Sequence, residues 1–269
     1  MIKTAVIGHP IAHSKSPLIH GYWMKQHGID GTYEAIDIAP EGLSARLHDL
    51  ANQGYGGVNV TVPHKEAVYD LCDDLDDAAQ KIGAVNTVVF KGGKIHGRNT
   101  DAFGFMENLR QSQPEYDFTE KTALVLGAGG AARAVVYGLL QAGVSRIVIS
   151  NRTESRARVL CDMNPKCIDV LPWSQHDLAA FDIIVNTTSL GMTGKPGLDI
   201  DLGALHADAV VADIVYAPLM TDLLKRAQAR GNPVVTGIGM LLHQARPAFE
   251  AWHGVMPDVD GDLEGLVLG

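Results

Sequence analysis

The chain has 269 residues, enough for one large or two modest domains and for a core that needs no disulfides or metals. Hydrophobic residues make up 46% and aromatics only 6%, and the 29 glycines are about 11% of the chain against an average near 7%; this composition excludes disorder, collagen-like repeats and small disulfide scaffolds. A net charge of −9 with no basic run excludes a nucleic-acid partner, which would require a cationic face.

In chain order, β-branched runs at 3–7, 32–38 and 57–62 predict strands. Helical spacing occupies 17–27, 41–53 and 64–73, the last behind Pro63. The apolar run within residues 1–8 is too brief for a signal peptide. Asp73, Asp74, Asp76 and Asp77 form a short acidic cluster, expected as a solvated loop or helix end. Segments 84–90 and 94–96 flank Gly92 and Gly93, a two-glycine turn that predicts a hairpin. The polar stretch 111–120, with Pro114, is the one soft boundary. A second series then follows: a strand at 122–126, a helix at 131–142 stopped by Gly143, and strands at 146–150, 182–186, 210–213 and 233–236. A short strand near 167–171 and helices at 221–229 and 240–253 complete it. Strands separated by helices imply βαβ units and mostly parallel sheets.

Segment 122–143 has the length and hydropathy of a membrane span, with Arg133 as its single charge. Its internal order, an apolar run followed by a glycine cluster and an amphipathic stretch, predicts strand–turn–helix instead, so no membrane partner is expected. Cys72, Cys161 and Cys167 make no CxxC pair and no metal-ligand spacing with histidine. They are expected as reduced thiols of a cytoplasmic protein without a metal site.

Gly127-Ala128-Gly129-Gly130-Ala131-Ala132 fits G-x-G-x-x-A directly after a strand and at the start of a helix. Gly127 allows the tight turn, Gly129 lets the backbone approach a pyrophosphate, and Ala132 permits close packing of helix on strand. The helix N-terminus offers free N–H groups to the phosphates. At the end of the next strand an NAD site needs Asp or Glu for the ribose hydroxyls, whereas this chain has Asn151-Arg152-Thr153. A carboxylate there would repel a 2′-phosphate, while Arg152 can pair with it, so NADP(H) is expected over NAD. The bland alternative is a solvated arginine after a strand. Asn186-Thr187-Thr188-Ser189 follows a later strand of the series, where a dinucleotide would pass, and can also be read as an ordinary Ser/Thr turn.

Four polar motifs lie in the first hundred residues: His13-Ser14-Lys15-Ser16-Pro17, Asn59-Val60-Thr61-Val62-Pro63-His64-Lys65, Gly83-Ala84-Val85-Asn86-Thr87 and Asn99-Thr100-Asp101. A fifth, Gly237-Ile238-Gly239-Met240 with His243 and Gln244, comes from the far end. Singly, Ser14, Ser16 or Asp101 could be helix caps, Lys65 an exposed lysine and Asn86 a turn residue. Together they supply the hydroxyl, amide, ammonium and carboxylate groups that hold a polyhydroxylated acid and move a proton.

These motifs, in this order along the chain, resemble those of the shikimate dehydrogenase family, from Val6 to Gln244. The resemblance implies an α/β fold of two domains: a Rossmann-type doubly wound NADP-binding domain, and a smaller α/β substrate domain with a mostly parallel sheet. The implied boundaries are 1–102 with 238–269 returning to it, and 103–237. It implies NADP-dependent interconversion of 3-dehydroshikimate and shikimate in aromatic amino-acid biosynthesis. Lys65 would be the acid/base and Asp101 its partner. Ser14 and Ser16 would bind the substrate carboxylate, and Thr61, Asn86, Asp101, Tyr216 and Gln244 its hydroxyls or carboxylate. The cofactor would meet Asp77, Gly127, Ala128, Gly129, Gly130, Ala131, Asn151, Arg152, Thr153 and Ser189, with Ile214, Gly237 and Met240 near the nicotinamide. Three other readings stay open at this point: a cofactor-binding regulator of the same fold, a structural protein whose glycine loop is a packing feature, and a dehydrogenase that also takes quinate. Oligomeric state is not legible, because no heptad or long apolar edge appears.

Overall fold

A computed structural model describes residues 1–173 and 177–269 of the chain. Packing separates Met1–Asp101 with Leu242–Gly269 from Ala102–Leu241. In the first unit, the β-branched runs become β1 (Ile2–Gly8), β2 (Gly31–Asp37) and β3 (Tyr55–Val60), joined by α1 (Ser16–Gln26) and α2 (Leu43–Asn52). After them come α3 (Lys65–Tyr69), β4 (Asp74–Leu75), α4 (Asp77–Ile82), β5 (Thr87–Lys91) and β6 (Lys94–Arg98). The sheet order is β2-β1-β3-β5-β6-β4. β1 runs parallel to β2 and β3, β4 runs parallel to β6, and β5 is antiparallel to both of its neighbours. The reversal at β6 is made by Gly92 and Gly93, both at positive φ (61° and 75°), which a two-residue turn matched to strand twist requires.

The helix expected over 64–73 stops at Tyr69. The sheet edge competes for the chain here: Asp73 N–H donates to Ile95 O at 2.9 Å, and Ile95 N–H donates back to the Asp73 carboxylate at 2.7 Å. The acidic cluster thus includes the expected helix end, Asp76 capping α4 by accepting from Ala79 N–H at 2.7 Å, while Asp74 is drawn into β4.

One face of this sheet carries an aliphatic core that includes Ile7, Leu47, Leu50, Val58, Val60 and Val88. An aromatic cluster of Trp23, Tyr33, Phe249 and Trp252 surrounds the fully buried His20, whose ring stacks on Tyr33 at 4.1 Å. Desolvation, and then the neighbouring His253, push the His20 pKa down to about 3. The unfolded chain binds a proton at this residue near pH 6.5, and the folded chain does not until the pH approaches 3. This contribution to stability is therefore complete above about pH 6.5 and is lost as the pH falls, at about 1.4 kcal/mol per unit for one proton. His20→Phe is expected to flatten the fall in unfolding free energy between about pH 6.5 and 5, measured by urea titration. An unchanged slope would contradict a neutral buried His20.

The second unit contains β7 to β12 together with most of α5 and the start of α9. α5 (Asp101–Ser112) leads into β7 (Thr122–Leu126), α6 (Gly130–Gln141), β8 (Arg146–Ser150), α7 (Glu154–Cys161) and β9 (Ile168–Leu171). β10 (Ile183–Asn186), β11 (Val210–Asp213), α8 (Asp222–Ala229), β12 (Val234–Val235) and α9 (Ile238–His253) follow. The order β12-β11-β10-β7-β8-β9, parallel throughout, is that of a doubly wound dinucleotide-binding sheet, whose strand order reverses between β7 and β10. Successive side chains of one strand enter opposite cores: Ala123 and Val125 pack with Ile147, Ile149 and Val185, and Leu124 and Leu126 with Val148, Ile184 and Val211. Burial on both faces explains why these strands read as unbroken apolar runs, and why 122–143 mimics a membrane span. No helix among the described residues is long and apolar enough to cross a membrane. The chain ends in α10 (Gly261–Leu268), capped by Asp260, which accepts from Leu263 N–H at 2.8 Å.

Candidate active site

In the first unit the Asn59–Lys65 motif begins in the last two residues of β3 and runs past its end, so Lys65 opens α3 just beyond a central strand. Val85 N–H donates to Lys65 O at 2.9 Å and ties α3 to the segment carrying Asn86. Asp101 opens α5, where a helix N-terminus favours a carboxylate. Lys65 Nζ donates to Asp101 Oδ2 at 2.6 Å, and Asn86 Nδ2 donates to Asp101 Oδ1 at 2.8 Å. Both carboxylate oxygens are thus held, and the ammonium remains partly exposed at 27% against 11% for Asp101. The Asn86 amide is oriented in turn: its Oδ1 accepts from Thr100 N–H at 2.9 Å, and its Nδ2 also faces Thr100 Oγ1 at 3.0 Å and Gln244 Oε1 at 3.3 Å. Thr100 Oγ1 donates to Gln244 O at 2.7 Å, which ties the part of α9 that belongs to this unit to this loop. The arrangement is an oriented ammonium with a held counter-charge, able to give or take a proton at an exposed atom.

Ser14 and Ser16 lie together at the start of α1, with Ser16 N–H donating to Ser14 Oγ at 3.3 Å. Both are partly exposed, as is Thr61, whose backbone N–H donates to Ile7 O at 2.9 Å. His64, in the same motif, is buried and its Nε2 bonds Ile38 O at 2.7 Å, so it anchors the loop. Asp77 is exposed in the first turn of α4, the one predicted cofactor residue that falls in this unit.

In the second unit the predicted cofactor residues lie in the loops beyond the C-terminal ends of β7, β8, β10, β11 and β12 or, for Gly130, Ala131 and Met240, in the first turn of the helix that follows, the ligand edge of an open parallel sheet. Gly127 has φ +111°, and a Cβ there would sit 2.5 Å from Thr187 Oγ1, which is fixed by donating to Leu126 O at 2.7 Å. Ala128 is buried behind it and Ala131 lies in the first turn of α6. At Gly129 and Gly130 an added Cβ would meet no atom within 4 Å, so the loop keeps open space in front of the α6 N-terminus. That combination fits a pyrophosphate. Gly127→Ala is expected to destabilise the protein by more than about 1 kcal/mol, because alanine is strained at this φ and must displace Thr187. Thermal melting checks it, and an unchanged midpoint would refute the packing account.

Asn151, Arg152 and Thr153 connect β8 to α7, with Arg152 exposed. Arg156, one helical turn further, is also exposed, and no carboxylate pairs with either guanidinium among the described residues. Arg156 was not singled out from the sequence; its i+4 spacing from Arg152 is the signal that finds it. Ser189 is exposed after β10, beside a network in which Asn186 Nδ2 donates to Asp213 Oδ1 at 3.0 Å and Thr221 Oγ1 donates to Asp213 Oδ2 at 2.7 Å. Desolvation raises the Asp213 pKa against the pull of these donors. Ile214 and Tyr216 follow Asp213; Tyr216 is the one predicted substrate residue in this unit. A Cβ at Gly237 would come within 2.3 Å of Ile214 O, so only glycine allows the two loops to touch. Met240 packs on the adjoining core.

Three family models match the chain: a shikimate dehydrogenase substrate binding domain at residues 6–88, a shikimate/quinate 5-dehydrogenase at 108–192 and a shikimate 5′-dehydrogenase C-terminal domain at 237–264. The shikimate dehydrogenase (NADP(+)) of Paramagnetospirillum magneticum is 53% identical over 266 residues, covering 98% of this chain and 96% of its own. Among solved structures, the shikimate 5-dehydrogenase of Thermus thermophilus in complex with NADP(H) and shikimate superposes with a TM-score of 0.89 at 37% identity, over 99% of this chain and 98% of that one. The quinate dehydrogenase of Corynebacterium glutamicum in complex with NAD gives 0.92 at 32% identity, over 99% and 98%. With half the sequence shared with a full-length relative and with both units matched, the chain belongs to the shikimate dehydrogenase family.

Proposed function

We propose that this enzyme catalyses the reversible NADP-dependent reduction of 3-dehydroshikimate to shikimate in aromatic amino-acid biosynthesis. The observation that carries the reading is the Lys65 ammonium, held at 2.6 Å by a carboxylate that Asn86 fixes from its other side. NADPH supplies the hydride when bound, held by the loop Gly127, Ala128, Gly129, Gly130 and Ala131 at the phosphates and by Asn151, Arg152 and Thr153 at the adenosine end. We assign Ser189, Ile214, Gly237 and Met240 to the rest of that cofactor, and Asp77 as a further contact.

As hydride reaches the carbonyl carbon, negative charge develops on its oxygen. Lys65 Nζ stabilises that charge and donates its proton to it. In the reverse direction Lys65 takes the hydroxyl proton. Asp101 keeps Nζ in place throughout, with its own geometry set by Asn86. Ser14 and Ser16 take the substrate carboxylate by hydroxyl donation, which favours an anion without placing a second cation beside Lys65. Thr61, Asn86, Asp101, Tyr216 and Gln244 take the remaining oxygens. In this reading 1–102 with 238–269 form the substrate domain and 103–237 the dinucleotide domain. A cytoplasmic location fits the unpaired Cys72, Cys161 and Cys167 and a reaction between soluble metabolites.

The test is a matrix of shikimate and quinate against NADP and NAD, read as kcat/KM. The reading expects shikimate with NADP to exceed every other pair. Preference for quinate with NAD would instead place the enzyme beside the Corynebacterium protein.

A further inference from the structure

Tyr33 lies on β2, was not among the residues chosen from the sequence, and has no part in the mechanism above. Its phenol donates to Asn59 Oδ1 at 2.6 Å, and the Ser16 side chain is its other hydrogen-bond neighbour. One ring face is covered by His20, stacked at 4.1 Å with 5° between planes. Burial raises the phenol pKa well above its usual value, so the group stays a neutral donor.

We propose that Tyr33 is a positioning residue for the reaction, ordering Ser16 on one side and the Asn86–Asp101–Lys65 group on the other. The inference rests on the roles given above to Ser16 and Lys65. A phenol has one proton, and here it goes to Asn59 Oδ1, which fixes the Asn59 amide in one of its two orientations. Asn59 Nδ2 must then face Thr87 Oγ1 at 3.2 Å and Asn86 O at 3.3 Å. Thr87 Oγ1, having accepted, donates its own proton to Asn86 Oδ1 at 3.1 Å. Asn86 therefore presents Nδ2, not Oδ1, to Asp101. Each bond has a direction, and the first is set by Tyr33. With its amide reversed, Asn59 would set an oxygen against the Asn86 carbonyl. In the free enzyme the Ser16 hydroxyl donates to the lone pairs of the same phenol, and it would turn that one proton to a substrate carboxylate on binding, so the phenol sets where the Ser16 side chain rests before substrate arrives.

Tyr33→Phe keeps the ring on His20 and removes only the hydroxyl. Thr100 N–H still holds Asn86 Oδ1, so a moderate effect is expected rather than loss of activity. The expected result is a rise in the shikimate KM and a fall in kcat of about three- to tenfold each, the scale of a single hydrogen bond. The NADP KM and the melting temperature stay near wild type. A merely structural role would lower the active fraction, and hence kcat alone, with both KM values unchanged; that pattern overturns the inference, as does unaltered kinetics. Thr87→Val breaks the same chain further along. If Tyr33 acts on kcat through that chain, the kcat of the double variant is no lower than that of the worse single one. Multiplied losses overturn the route through Asn59. The wild type is assayed beside them: inactivity on shikimate refutes the proposed function, whereas an active wild type with an indifferent Tyr33→Phe refutes the inference alone.

Discussion

Replacing Lys65 with alanine lowers kcat for shikimate oxidation by about 10²–10⁴-fold, the usual worth of a positioned acid/base, with KM for shikimate nearly unchanged. The split follows from geometry. Nζ is the exposed end of the pair, while the groups assigned to ground-state binding, Ser14, Ser16 and Thr61, lie on α1 and after β3 and do not depend on it. Asp101 remains bonded to Asn86 in the variant, so the surrounding loops keep their anchors. Lys65→Arg is expected to be nearly as inactive, although it preserves the charge. A guanidinium keeps its protons at any working pH and cannot take the hydroxyl proton of shikimate. Steady-state kinetics in the oxidative direction decide the matter. A variant that lost affinity but kept turnover would make Lys65 a binding residue and move the proton transfer elsewhere.

The readable parts of this chain are those whose signals are local. The glycine loop is recognisable because the strand before it, the close approach within it and the helix after it fall within about twenty residues, and each restricts residue type. The Gly92-Gly93 hairpin is equally local, since two positive φ values leave little choice of residue. What escaped the sequence is set by distant partners. The early end of α3 depends on Asp73 reaching Ile95, and the antiparallel pairing of β5 with β3 joins strands far apart in the chain, where either orientation buries the same apolar residues. α4 is only six residues long, and α7 and α10 are short helices that carry weak periodicity. Within the site, Lys65 and Asp101 can be singled out by motif, but their 2.6 Å contact joins residues thirty-six apart. Tyr33 and Asn59 belong to different strands, and no spacing along the chain announces a bond between them. Arg156 was missed for a different reason: on an exposed helix, one more arginine looks like solvation until it is seen to have no carboxylate partner among the described residues.

Arg152→Ala is expected to raise the KM for NADP by about 10- to 100-fold and to leave the KM for NAD within a few-fold, because a hydrogen bond to a charged group is worth about 1.5–3 kcal/mol. The two dinucleotides differ only in the 2′-phosphate, so a residue that packs on adenine or shapes the loop would affect both. Arg152 is exposed and has no carboxylate partner among the described residues, and its release from NADP leaves no buried charge behind. Arg156 shares the phosphate in this account. Its alanine variant should show a smaller loss of the same selectivity, and the double variant should approach the affinity of NAD without falling below it. Salt gives an independent readout. The interaction is between exposed charges, so raising ionic strength should weaken NADP more than NAD in the wild type, and this difference should vanish in the double variant. Equal losses for both cofactors, or a salt response that survives both substitutions, would move recognition of the 2′-phosphate away from the β8–α7 loop. The net charge of −9 does not oppose this expectation, because a screened solution makes the local guanidinium groups, rather than the total charge, decide how a 2′-phosphate is met.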